Sequence, residues 1–555
     1  MRDSRGLEGF GIQTPSTDLV GRVGCSVISI LSLLLLLAVW TSRFPVGVPG
    51  EWTWTRIVPS APVVFSLVIP VLVAVGYVGL AWLGAKRIAG GSRWEMAARL
   101  AGLVVAGTSW LFAVQEAAPP PHQLSKVAWV LFYPGPSGYF TAARCVTDER
   151  QYLAEYEQLM AKGDVLHIGT HPPGLIVAYR GLIRLCDASP GLVDLLNATQ
   201  PDSVRDMLEV LVHNEGIGRN PQPFTRRDAA VLWLAGLLVH GLAAFTVVPL
   251  FCLLRRDHSA RTAWLAASLW PTVPALAVFL PKSDTILPAF AFGFLALWST
   301  GGLESLRRPA SGARQSAMLC VLAGFVLWLG LFISLALLPI VFLAALLTAW
   351  DGWLCCREDR TERPAHRLLN GFALAGVGFL TPIALLYVTT GMNLFAVWAW
   401  NLHNHAGFYS QFPRTYWKWL LVNPVELSIA AGLPLALLAI LASRRPRSEW
   451  RRRDCGPVWA CLATWLCLWL SGKNMGEVAR LWIIIMPCFV WMAARSFRDD
   501  GWVERQDAPA LTDRTARLAS STRPPLLWLV VLTLQFAVGL SIVLNVGGFD
   551  VPAPR

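Results

Sequence analysis

Charge is what this chain has least of. Only 15% of its 555 residues are Asp, Glu, Lys or Arg, where a soluble domain carries about 25%. With 55% apolar residues and 26 Trp, the composition excludes an ordinary soluble enzyme and fits an integral membrane protein. The chain also lacks metal-like Cys spacing despite 11 Cys, and it lacks internal repeats and low-complexity tracts. A net charge of +12 raises the thought of nucleic acid. The basic residues, however, sit in short loops between apolar runs, where they report membrane orientation, so no nucleic-acid partner is expected. No signal-peptide cleavage site follows the first apolar run: Thr41-Ser42-Arg43 is a poor small-residue site, and the run reads as a retained helix.

Apolar runs are present at 22–41, 62–84, 97–115, 229–254, 261–280, 285–300, 317–331, 333–350, 368–390, 425–443, 457–471, 478–495 and 526–545. They predict an all-α polytopic membrane protein with about 13 transmembrane helices. Taken as one helix, 317–350 would reach roughly 50 Å, too long for a hydrocarbon core of about 30 Å. Gly330 permits a reversal there, so two spans are expected. With the N-terminus cytoplasmic, alternation then gathers more than half of the 47 basic residues into inside loops, including the Arg-rich stretch at 444–453. That is the positive-inside asymmetry of a multi-pass cell-membrane protein.

By the same alternation, four polar segments share the extracytoplasmic side: 116–227, 281–284, 391–424 and 471–477. The first is far longer than an ordinary connection, and loops of that length are usually functional. Three domains follow: an N-terminal three-span addition (1–115), the outer loop (116–227) and the remaining helical core (228–555). Within the loop, Thr147 is a candidate cap for a helix with Tyr152, Leu153, Tyr156, Leu159 and Met160 on one face, ended by Gly163. Further helices at 173–185 and 201–213 are expected to lie along the interface. Cys145 and Cys186 also fall in this loop; a disulfide and two free thiols are equally compatible with their placement.

Each candidate for chemistry has a plain alternative. Asp148 and Glu149 open a helix, where acids answer its dipole, or supply a general base at the membrane surface. His171-Pro172-Pro173-Gly174 is a rigid turn, with His171 a candidate substrate contact. Lys282 and Asp284 stand at the start of a span. Lys473, Glu477 and Arg480 stand at the outer end of another, where Glu477 and Arg480 either pair with each other or leave the cations to grip a phosphate. His403 and His405 lie on the 391–424 segment. His167 and His171, four apart, lack the carboxylate or thiolate companions that a metal site needs. No metal ligand set is assigned, and no cofactor is required, though a divalent cation is compatible.

The stretch 148–173 resembles the first large outer loop of the glycosyltransferase C superfamily, in the style of protein O-mannosyltransferases and lipid A aminoarabinose transferases. The shared parts are Asp148-Glu149, Tyr152, Met160, Gly163-Asp164 and His171-Pro172-Pro173. Asp284 and Lys473 with Pro487 match later motifs more loosely. The pattern departs at His171 and Gly174, in the three spans that precede the acidic pair, and at 476–480. The resemblance implies an inverting transfer of a sugar from a polyprenyl-phosphate donor to a hydroxyl of a glycan, lipid or protein of the cell envelope, with Asp148 as base. A transporter or flippase of lipid-linked sugar is the alternative. It would show inverted repeats and midplane charges, which the sequence does not plainly show.

Overall fold

A computed structural model of the chain describes residues 17–41, 47–57, 66–88, 90–213, 223–304, 313–357, 364–444, 454–497, 525–549 and 551. The basic loops at 305–312, 358–363, 445–453 and 498–524, which carry much of the expected charge asymmetry, lie outside the described residues.

The protein is an all-α polytopic membrane protein. Among the described residues, ten helices are long and apolar enough to cross a membrane, and Tyr416–Ala431 with Leu433–Ser443 forms an eleventh as a bent pair. The run expected at 457–471 is the shorter helix Cys455–Leu470, and the one at 478–495 breaks into Val478–Leu481, Ile483–Ile485, Pro487–Ala493 and Ala494–Phe497. Proline is one cause of such breaks: it has no N–H to donate back, so Pro487 begins a new helix instead of continuing one. Pro271, Pro274 and Pro281 divide the 261–280 run in the same way. The 108° bend in the pair falls at Gly432 (φ +90°), two residues before Pro434.

The split of 317–350 is present. Ala313–Ile333 and Leu338–Arg357 are separate helices, with extended backbone at Ser334 (φ −158°, ψ 136°). Gly330 has the packing reason expected of a reversal: a Cβ there would stand 2.2 Å from Leu337 Cδ2, seven residues on.

Burial orders the helices from core to rim. Ala260–Phe279 is 100% buried over its apolar window, whereas Val23–Trp40, Val68–Arg87 and Ala365–Thr390 are 22%, 28% and 17% buried, so these three present apolar side chains to lipid. Tryptophans stitch the centre: Nε1 of Trp264, Trp270 and Trp528 donates to the carbonyls of Ala81, Ala243 and Leu265 at 2.8–2.9 Å. Each buries a large ring while its one polar atom is satisfied.

The N-terminal region packs into this body. Trp40 donates to Ser541, and strand Thr55–Arg56 pairs antiparallel with Val546–Gly547 after the last span. Contacts also cross residue 115, where Gln115 Nε2 donates to the carbonyls of Ala277 and Leu280.

Candidate active site

Two connections between successive apolar helices, with the helix starts that follow them, supply the charged residues. After the cis Leu280–Pro281 bond, Lys282 begins the short helix Ser283–Ile286, which carries Asp284. After Cys455–Leu470, a tight loop with left-handed backbone at Gly472, Asn474 and Gly476 leads to Glu477 and Arg480. Gly476 (φ +85°) has no room for a side chain, since a Cβ would meet Arg414 Nε and the Trp419 ring at 3.2 Å. Tyr409 accepts from Met475 N (2.9 Å) and Tyr416 donates to Leu470 O (2.8 Å), which fixes both ends of the loop.

These pieces meet. Arg480 lies 2.8 Å from Glu477 and 3.5 Å from Asp284. Lys282 is buried, donates to Pro136 O, and lies 3.3 Å from His167 Nε2. Burial, and then the Arg480 charge, pull the Lys282 ammonium down to about 7. Unpaired burial disfavours a cation in this way. His171 is held down to about 4, by burial first and with Lys282 and Arg480 adding to it, while Asp284 opposes. Burial also keeps His167 well below the usual imidazole range. The Tyr139 ring meets His171 edge-on at 5.8 Å.

The four polar segments therefore converge. The 160–171 stretch is held against helix Leu394–Gln411 by two buried asparagines one turn apart. Asn401 Nδ2 donates to Gly169 O (3.0 Å) and His171 O (3.2 Å); Asn404 Nδ2 donates to Met160 O and Gly169 O (both 2.9 Å). Tyr156 Oη adds a bond to His171 O at 2.9 Å. Gly174 then allows close approach: a Cβ there would stand 2.3 Å from Phe332 O.

Lys282, Asp284, His171, Glu477 and Arg480 are thus brought together. His405 is half-buried, with Lys473 and Glu477 within electrostatic reach, and Lys473 itself is exposed. The other residues lie elsewhere. His403 is exposed beside Trp400. Asp148, not Thr147, is the helix cap: Oδ1 accepts from Arg150 N (2.9 Å) and Gln151 N (3.1 Å), because its oxygen reaches the unpaired N–H groups of helix Glu149–Ala154. No hydrogen bond or ion pair among the described residues joins Asp148 to the cluster. Glu149 braces helix Gly174–Ala188 through Arg180 (3.0 Å) and Arg184 (2.8 Å). Tyr152 packs edge-on against Tyr156, which in turn bonds to His171 O, so it touches the site at one remove. Cys145 and Cys186 are not joined by a disulfide. No group of three or more His, Cys, Asp and Glu side chains placed to hold a metal occurs among the described residues.

Residues not singled out as site members complete the surroundings: His167, Tyr139, Asn401 and Asn404, and a back wall from the N-terminal hairpin. Glu51 accepts from Thr415 N (2.8 Å), Trp419 Nε1 (2.7 Å) and Lys418 (3.3 Å), and these bonds, Thr415 foremost, lower its carboxyl to about 2. Trp54 Nε1 donates to buried Glu426 at 2.6 Å. The asparagines had a legible signal, helical spacing in a polar patch, as had His167 in its spacing to His171.

No family model matches the chain, and no curated protein matches it. Among solved structures, it is similar to the oligosaccharyltransferase of Archaeoglobus fulgidus, solved in complex with zinc and sulfate. The TM-score is 0.41 with 13% identity over 81% of this chain; the match spans about half (54%) of that protein.

Proposed function

We propose that the protein is a membrane glycosyltransferase of the glycosyltransferase C kind, moving a sugar from a polyprenyl-phosphate donor to a hydroxyl acceptor on the extracytoplasmic face. One observation carries this reading. Two connections between successive apolar helices deliver Lys282, Asp284, Glu477 and Arg480 to a loop bearing paired histidines. Ionisable groups at such positions are costly and mark function.

In this reading Lys282 and Arg480, with Lys473 at the rim, hold the phosphate. Arg480 exchanges its longer contact, to Asp284, for a phosphate oxygen and keeps Glu477. The acceptor oxygen attacks the anomeric carbon from the face opposite the phosphate. The C–O bond to phosphate breaks, polyprenyl phosphate leaves with the electron pair, and the configuration inverts. Positive charge fixed beside the departing phosphate lowers the barrier because it is already in place. Asp148 takes the acceptor proton: its Oδ1 is occupied by two backbone N–H groups, which leaves Oδ2 for the proton. Its exposure admits a bulky acceptor, and Glu149, tied to Arg180 and Arg184, fixes the helix start.

The test is transfer of radiolabelled sugar out of a polyprenyl-phosphate pool in membranes containing the protein. Loss of label from the carrier supports a transferase; carrier crossing the bilayer with its sugar still attached supports a flippase. Full transfer by Asp148→Asn removes Asp148 from the mechanism.

A further inference from the structure

We infer that His171 recognises a hydroxyl of the donor sugar, accepting its hydrogen at Nε2. This rests on the function proposed above and adds which side of the site holds the sugar.

Nδ1 of His171 lies 2.9 Å from His167 O and 3.0 Å from Thr170 Oγ1. The Thr170 hydroxyl spends its own hydrogen on Leu166 O at 2.8 Å. Both neighbours of Nδ1 are therefore acceptors, so Nδ1 carries the hydrogen. A neutral imidazole has one N–H, which makes Nε2 a lone pair. Nε2 has no hydrogen-bond partner among the described residues.

The ring is also fixed in place. His171 O receives bonds from Tyr156 and Asn401, and Tyr139 packs against the ring edge. The charged and titratable groups that face it are Asp284 and Lys282 from the connection after Phe279, Arg480 from the helix start after the 471–477 loop, and His167 from its own loop. Among these the imidazole is neutral at working pH.

A fixed lone pair repels phosphate oxygens and attracts O–H. His167 cannot share this role. Its Nε2 donates to Gly135 O at 2.8 Å, and the Lys282 nitrogen lies against the same ring, 3.3 Å from Nε2 and 3.5 Å from Nδ1, where it covers the remaining lone pair. The site thus has an anion side, Lys282 and Arg480, and a hydroxyl side, His171. Recognition of this kind discriminates, because a ligand without the hydroxyl leaves the acceptor unpaired and binds on the order of tenfold more weakly.

The experiment uses the full-length protein in lipid bilayers. Solid-state 15N NMR reports the tautomer, and the Nδ1–H form of His171 is expected; an Nε2–H form overturns the inference. Binding is then measured for short-chain polyprenyl phosphodiesters of mannose, glucose, galactose and arabinose, and for the sugar-free methyl polyprenyl phosphodiester. The wild type should prefer its best sugar over the methyl diester by about tenfold. His171→Phe should lose the preference, read as the ratio of sugar-diester to methyl-diester affinity, and His171→Gln, whose amide oxygen can stand near the Nε2 position, should recover part of it. An unaltered preference in His171→Phe, or no preference in the wild type, overturns the role of His171 and leaves the donor reading intact. Failure of every diester to bind the wild type overturns the donor reading itself.

Discussion

In the site proposed for the donor, Lys282 should make binding pH-dependent, in a direction that separates binding from stability. A polyprenyl-phosphate sugar is a phosphodiester, singly charged throughout the neutral range, so a titration near pH 7 must come from the protein. In the cluster His171 titrates near 4 and His167 well below its usual range, which leaves Lys282 at about 7. Below pH 7 the ammonium is present and holds the phosphate. Above it, donor affinity should fall by on the order of tenfold per pH unit, since one pKa unit corresponds to about 1.4 kcal/mol. Folding stability moves the other way. Unfolded lysine keeps its proton to about pH 10.4, so between the two values the unfolded chain binds more protons and stability rises with pH. Weaker binding at pH 8–9 is therefore not unfolding. Donor diester binding in bilayers at fixed ionic strength from pH 6 to 9 reads the effect. Lys282→Arg, charged throughout, should bind with little dependence on pH, and Lys282→Met should bind weakly throughout. A flat wild-type profile, or the same slope in Lys282→Arg, refutes the argument.

Three further outcomes follow from the packing. Asn401→Ala removes one of two donors from the carbonyls of Gly169 and His171, which keep Asn404 and Tyr156, and should cost about 1 kcal/mol, read as a lower melting temperature and faster proteolysis within 161–166. Gly476→Ala places a Cβ on left-handed backbone against Trp419 and Arg414; a loss of about 1–3 kcal/mol and weaker donor binding are expected, and unchanged binding would show that the loop does not shape the site. Arg480→Lys keeps the charge but loses the fork that spans Glu477 and Asp284. Sugar transfer should drop at least tenfold with the melting temperature nearly kept; equal activity would remove Arg480 from phosphate binding.

The spans were legible because the bilayer imposes length and apolarity on contiguous residues, and Gly330 marked the reversal in 317–350 through its own lack of a side chain. The segment 391–424 was harder. Read as an outer loop, it is mostly helix, Leu394–Gln411 and the start of Tyr416–Ala431, which carries Pro424 inside it and continues into the apolar run; helical periodicity there is blurred by aromatics on several faces. Charges at span ends flagged Lys282, Asp284, Glu477 and Arg480. Their mutual distances were not legible, because His167 and Lys282 are 115 residues apart and no local pattern encodes that meeting. The polar partners of Asp148 and Glu149 were half-legible: the dipole argument foresaw a helix start, while the Arg180 and Arg184 contacts depend on how a later helix docks.

The pairing of Thr55–Arg56 with Val546–Gly547 has a consequence for biogenesis. The hairpin that carries Glu51 and Trp54, and so backs the basic loop through Trp419 and Glu426, is made early in synthesis, yet its neighbouring strand finds its partner only after the last helix, Leu526–Asn545, has been made. A chain stopped before Leu526 holds every charged residue of the cluster but cannot close this ends-together clasp. Ribosome-bound or truncated intermediates should therefore insert into the membrane well before they become competent to bind donor.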